Sequence, residues 1–202
     1  YGIPIITFNS DIEDTKRICF VGQNTIQSGR TAAGLMGEIT GGKGEVAVIS
    51  GHISNPALNN RIRGFQSEIL ESFPGIQLVG TKYSYDDEWV AAKIVEELLE
   101  QYPDLKGIFA CNDNMALAAV QALQEMGNKD VMVYGVDYTT DAKAAIEDGT
   151  MMGSMTYSSA IYTKAAEEMA MLIVQGKTFK DPVYLPLTLV TQDNVADFEG
   201  WK

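Results

Sequence analysis

The sequence predicts an α/β fold, a doubly wound parallel sheet in a three-layer α/β/α arrangement. Three observations carry that reading. Apolar strand-like runs alternate with helix-like segments along the chain. The strands are short, β-branched and nearly continuous in apolar residues, as at Val46–Ile49 and Val131–Val136, which suits parallel strands buried on both faces. The runs Ile3–Phe8, Glu45–Ser50, Ile76–Lys82, Gly107–Cys111 and Val131–Val136 each end in polar residues: Asn9, Gly51–His52, Tyr83–Tyr85, Asn112 and Asp137. In such a sheet, ligands bind outside the carboxyl ends of the strands.

The elements read in order as strands at 3–8 and 18–22, a helix at 24–39, a strand at 45–50, a helix at 57–72 and a strand at 76–82. A helix at 87–101, a strand at 107–111, a helix at 113–126 and a strand at 131–136 follow. The chain ends with a helix at 139–148, a strand at 152–157, a helix at 159–175 and a strand at 184–190. Spacing and punctuation support the helices. Segment 113–126 gathers Met115, Leu117–Ala119, Leu123 and Met126 on one face, with Asn112 or Asp113 as N-cap and Gly127 as the C′ glycine. Segment 87–101 sets Val90, Ile94, Val95, Leu98 and Leu99 at helical spacing. Asp86, Asp87 and Glu88 complement the dipole at its start. Gly41-Gly42-Lys43-Gly44 is a turn into the next strand.

Composition narrows the function classes. The chain has 202 residues, 15 basic and 27 acidic, for a net charge of −12. Such a surface disfavours nucleic acid or anionic membrane as a direct partner. No run approaches the ~18 apolar residues of a membrane span, and no signal peptide opens the chain. The opening Tyr1-Gly2-Ile3-Pro4 reads as already inside a strand, as in a piece of a longer or processed protein. Cys19 and Cys111 fall in apolar runs, read as buried free thiols that lean toward a reducing compartment. The lone His52 makes no metal site, and no metal or cofactor is expected. Neither a G-x-G-x-x-G after a strand, a P-loop nor a G-x-S-x-G elbow occurs.

The strand-end residues can instead hold a ligand. Asn112 can cap its helix and also bond a hydroxyl as donor and acceptor together. Asp137 can accept from two adjacent hydroxyls. Arg61 and Arg63 point to different faces of their helix, so at most one of them is expected to face the crevice, where its fork would bond two ligand oxygens. Tyr85, in a loop, is the stacking candidate, whereas Trp89, on a helix, is expected in the core. His52 and Asn55 read as ordinary loop residues.

A family pattern joins these residues. Gly2-Ile3-Pro4-Ile5-Ile6-Thr7-Phe8-Asn9-Ser10 resembles the G-I-P-V-I-x-x-D-[SR] segment of the type I periplasmic binding protein superfamily. Val21-Gly22-Gln23-Asn24, Arg61-Ile62-Arg63-Gly64-Phe65, Ile108–Ala116, Val133–Asp137 and Thr191–Val195 resemble its further motifs in the same order. The resemblance implies a two-lobe, non-catalytic clamp for a sugar or small polyol, with Asn9, Ser10, Arg61, Asn112, Asp137 and Tyr157 lining the cleft and Tyr85 nearby. The chain departs from the pattern at Asn9, where the family usually has aspartate, and at Tyr157, where sugar binders often carry glutamine. It also implies that 24–157 and 182–202 form a complete C-terminal lobe, with 1–23 and 158–181 as remnants of the N-terminal one. Two settings share this lobe. The run Lys16–Asn24 and the internal cysteines favour the effector domain of a LacI-type transcription regulator: cytoplasmic, homodimeric, reaching DNA through an upstream headpiece. The alternative is the sugar-binding protein of an ABC transporter, periplasmic or extracellular and lipid-anchored, with a permease as partner. A sugar-modifying enzyme is the third class. None of these inserts in the membrane.

Overall fold

The computed structural model describes residues 2–12, 15–157 and 159–200. In chain order its elements are β1 (Ile6–Phe8), β2 (Cys19–Gly22), α1 (Thr25–Thr40), β3 (Lys43–Ser50), α2 (Pro56–Ser72), β4 (Gly75–Tyr83), α3 (Glu88–Gln101) and β5 (Leu105–Ala110). Then come α4 (Asp113–Glu125), β6 (Met132–Tyr134), α5 (Thr140–Glu147), β7 (Gly153–Thr156), α6 (Ser159–Val174), β8 (Val183–Tyr184), β9 (Thr188–Thr191) and a short 3-10 turn at Val195–Asp197. The chain divides into two compact units, Tyr1–Asn24 with Tyr157–Thr188, and Thr25–Thr156 with Leu189–Lys202.

In the larger unit the sheet runs β4-β3-β5-β6-β7-β9. Each pairing from β4 through β7 is parallel. Alternate residues of a strand face opposite helical layers. Ala47 and Ile49 of β3 and Ile108 and Ala110 of β5 join the core built by α3, α4 and α5. Phe109, one residue on from Ile108, stacks on Phe65 of α2 with ring centroids 4.9 Å apart. Each large apolar side chain so buried contributes about 1.5–3 kcal/mol. This is the three-layer doubly wound arrangement expected from the alternation of runs.

Close approach of α1 and α2 needs glycine at the contact. A Cβ at Gly29 would lie 2.0 Å from the Arg61 carbonyl oxygen, and one at Gly64 would lie 2.0 Å from that of Ile26. The two helices therefore dock backbone to backbone, which fixes where Arg61 stands relative to the sheet.

The smaller unit has its own parallel sheet, β1-β2-β8. Cys19, Val21 and Met169 of α6 form its buried centre, joined by Ile6, Leu172, Val183 and Leu185. Arg17 ties Asp11 to Asp181, whose carboxylate also accepts from the Phe20 N–H at 3.0 Å. Ile3, Ile5, Ile12 and Val174 are exposed.

The strand expected at 131–136 is shorter, Met132–Tyr134, and two further stretches differ from the sequence reading in ways that proline explains. The run 184–190 is two strands in two sheets, because Pro186 has no N–H with which to continue a ladder. The first strand begins at Ile6, beyond Pro4, for the same reason.

Candidate functional site at the strand switch point

Chain connections leave β3 for β4 on one side and return to β5 on the other, so β3 and β5 are neighbours whose connections diverge. That divergence opens a crevice at their carboxyl ends. Ser50-Gly51-His52 leave β3 there, and Cys111-Asn112 leave β5.

Arg61 reaches this edge from α2. Asn55 starts that helix by accepting from the Ala57 and Leu58 N–H groups at 3.0 and 3.4 Å, with Pro56 at its first position. The Arg61 side chain is buried. Its Nη1 donates to the Cys111 carbonyl at 2.5 Å, and its Nη2 lies 3.6 Å from Asp137 Oδ1. Arg63 turns away and donates to Asn60 Oδ1 at 3.2 Å. Only one of the two arginines enters the crevice, as the helical spacing requires.

Asn112 performs two tasks. Its Oδ1 accepts from the Met115 N–H at 3.0 Å and caps α4. Its Nδ2 donates to Asp86 Oδ1 at 3.0 Å. Asp113 is therefore not the cap. It is fully buried, and it holds the next loop instead.

That loop carries Asp137. Asp137 and Tyr138 both have left-handed backbones, at φ 115° and 58°. Such conformations cost about 1–3 kcal/mol each for residues other than glycine and persist only where neighbours impose them. Asp113 Oδ2 accepts from the Thr139 N–H at 2.8 Å, and its Oδ1 accepts from Ser154 Oγ at 2.7 Å. Ser154 Oγ in turn accepts from the Tyr138 N–H at 3.0 Å. The buried Tyr138 hydroxyl donates to the Val195 and Phe198 carbonyls, both at 3.2 Å. Burial pushes the Asp113 carboxyl up to about 7, against the pull of its bonds to Ser154 and Thr139. Loss of water also raises Asp137, and the Arg61 guanidinium draws it back down in part.

A second left-handed pair, Tyr85 and Asp86 at φ 58° and 62°, closes the edge. The exposed Tyr85 ring meets His52 edge-on, with centroids 5.4 Å apart. Asp87, not Asp86, caps α3 by accepting from the Val90 N–H at 3.0 Å. Trp89, expected in the core, is 71% exposed. It sits on the outer face of α3 with Lys93 one turn on, 5.9 Å over its ring.

The structure thus brings Arg61, Asn112 and Asp137 to one edge, with Tyr85 on the same set of loops. Asn9, Ser10 and Tyr157 belong to the smaller unit. There, the Asn9 N–H, at φ 65°, donates to the Val21 carbonyl at 3.0 Å. The Ser10 N–H donates to Phe8 at 2.8 Å, and the Tyr157 ring lies 4.7 Å from that of Tyr162. Sequence reasoning did not single out Asp86, Asp113 or the Cys111 carbonyl. The edge offers a guanidinium, carboxylates, an amide and two aromatic rings, a set suited to holding hydroxyls. The Cys111 thiol, pushed up to about 11 by burial, holds no thiolate near neutrality.

A family model described as a periplasmic binding protein domain matches residues 1–178. The chain belongs to that family. A ribose import binding protein of Bacillus subtilis is 32% identical over 192 residues, covering 95% of this chain and 61% of the relative. A xylitol-binding protein of Mycolicibacterium smegmatis is 27% identical, covering 96% of this chain and 56% of the relative. Among solved structures, an ABC transporter solute-binding protein from Burkholderia graminis in complex with D-arabinose is 30% identical, with a TM-score of 0.89 over 98% of this chain and 70% of that one. A sugar-binding protein of a Bacillus halodurans ABC transporter, 24% identical, shares the fold at a TM-score of 0.91, over 98% of this chain and 72% of that one. The chain spans less than two thirds of the length of the ribose and xylitol relatives.

Proposed function

We propose that the parent protein is the solute-binding component of a carbohydrate importer, and that it holds a sugar or small polyol without changing it. The observation that carries this reading is the Arg61 guanidinium, fixed by the Cys111 carbonyl and paired with Asp137 beside the Asn112 amide at the switch point. Donors and acceptors alternate there over a few ångströms, as a ring of hydroxyls demands. Relatives named for ribose, xylitol and D-apiose support the ligand class.

The same relatives are import and binding proteins, which favours the importer over the regulator reading drawn from Lys16–Asn24. The cytoplasmic location, the homodimer and the DNA headpiece go with the regulator and lose their support together. An ABC permease and a place outside the cytoplasm go with the importer. Cys19 and Cys111 are buried, free and small, so they pack as apolar side chains and report no compartment. Assignment of Asn9, Ser10 and Tyr157 to the ligand rests on the resemblance alone. Apolar residues exposed on the smaller unit, together with the greater length of the relatives, fit a parent in which further chain packs against that unit.

Calorimetry of the full-length parent against a panel of pentoses, hexoses and polyols tests the proposal. One or more should bind without turnover. Asp137→Ala should weaken that binding by about 1–3 kcal/mol, because it leaves buried partners unsatisfied. Chemical conversion of the bound sugar, or unaltered affinity in the variant, would overturn it.

A further inference from the structure

Asp86 has no part in helix capping and, among the described residues, no cation within ion-pair distance. None of the ion pairs among the described residues includes it, whereas Arg61 is already matched by Asp137. Its place is nonetheless held closely. The backbone turns left-handed at both Tyr85 and Asp86. The Tyr85 N–H donates to the Gly51 carbonyl at 3.3 Å, which draws the loop over the end of β3. The carboxylate then lies across Gly51, where a Cβ would stand 2.1 Å from Oδ1 and 2.7 Å from Oδ2. From β4's loop it thus crosses β3's end and reaches Asn112 at the end of β5.

The consequences for a ligand follow from inventory and charge. Asn112 Oδ1 is engaged with its helix and one Nδ2 hydrogen with Asp86, so the amide has one N–H left to donate. Asp86 only accepts. The hydroxyls of a neutral sugar can donate to this exposed carboxylate in place of water, but they leave its charge unbalanced. A ligand bearing a protonated amine would match it.

Resting on the carbohydrate-binding reading above, we propose that Asp86 sets ligand class, and that this site prefers an aminated sugar or polyol to its neutral counterpart. Selectivity of this kind is a difference between two affinities, so paired ligands reveal it.

The full-length parent is titrated by calorimetry with D-glucosamine against D-glucose, D-galactosamine against D-galactose, and amino-deoxy against plain ribose and xylitol. At low salt and pH 7, the amine member of at least one pair should bind about tenfold tighter. That preference should shrink in 0.5 M salt, because a Coulomb term is screened at that strength. Asp86→Asn keeps the side chain's shape and removes its charge. In that variant the preference should collapse to within about twofold. Thermal unfolding of the ligand-free variant shows whether it is folded, and Asp86→Gln provides a second neutral replacement if it is not. If the neutral member binds as tightly as its amine in every pair that binds to the wild type, the inference is overturned and the carbohydrate reading stays intact. The same holds for an amine preference that survives in Asp86→Asn. Failure of every carbohydrate, neutral or aminated, sinks the carbohydrate reading and this inference with it.

Discussion

The two edges of the larger unit's sheet handle the same geometrical problem in opposite ways. At both, some of the connections enter left-handed backbone to turn between strand and helix. At the edge where helices return to strands, glycine supplies that conformation: Gly41, Gly42, Gly44, Gly127 and Gly149. At the edge where strands lead into helices, Tyr85, Asp86, Asp137 and Tyr138 adopt it. Glycine takes positive φ without steric cost. A tyrosine or aspartate there bears strain, which persists only where the side chain is needed and its surroundings hold it. The first edge only connects. The second presents side chains, and Asp113, Ser154 and Gly51 are the groups that hold them in place.

The largest effect expected from breaking that difference is at Arg61. Arg61→Met removes the partner of both the Cys111 carbonyl and Asp137. Removing one member of a fully buried pair costs about 3–5 kcal/mol, an upper limit here because the Asp137 side chain is partly exposed. Chemical denaturation should show a loss of that order. Arg63→Met, two residues away on the exposed face, should change stability by less than about 0.5 kcal/mol. Similar losses at the two positions would mean that Arg61 holds nothing at this edge.

Much of this edge was legible in the sequence, and the failures have physical causes. Asn112 and Asp137 could be read as strand ends from the alternation of apolar runs and helices, and Arg61 joined them through its helical spacing and the family resemblance. Asp86 was hidden among Asp86, Asp87 and Glu88. The helix dipole accounts equally well for all three, and only the left-handed turn at Tyr85 and Asp86 removes one of them from the helix. Asp113 was hidden beside a better cap. Trp89 was misplaced because its residue type was weighed above its register, although Lys93 one turn on marks an outward stripe. The split of 184–190 was written in Pro186.

A smaller, pH-dependent effect separates the edges further. Asp113 titrates near 7 when folded and near 3.8 as a free side chain. Below the lower value both states are protonated, and the group is neutral in the stability balance. Between the two values the folded state holds the extra proton, so stability falls as pH rises. Above about 7 the full cost of a buried charge is present. Asp137, also raised, acts in the same direction. Unfolding free energy should therefore decline between pH 4 and pH 7 by roughly 3 kcal/mol from Asp113. Asp113→Asn should flatten that slope, and an unchanged slope would assign it to other groups.

The smallest effect is the sharpest test, because it exchanges the two solutions. Gly127 has φ 68° and nothing within 4 Å of where a Cβ would stand, so Gly127→Ala isolates backbone conformation from packing. Placing alanine in left-handed backbone costs about 1 kcal/mol. The variant should lose about that much stability while binding ligand as before. Tyr85→Gly makes the reverse exchange. It relieves left-handed strain in the folded chain and adds freedom to the unfolded one, so stability should stay within about 0.5 kcal/mol of the parent. Its ring, exposed and edge-on to His52, is lost to the ligand. Affinity should fall by about 0.5–1.5 kcal/mol, the scale of one aromatic contact. Thermal unfolding and calorimetry on the same two proteins give a crossed result if the edges divide as described: one variant loses stability and keeps affinity, and the other does the opposite. Loss of affinity in Gly127→Ala, or a large loss of stability in Tyr85→Gly, would show that the strain at the carboxyl edge is structural and not kept for the sake of the ligand.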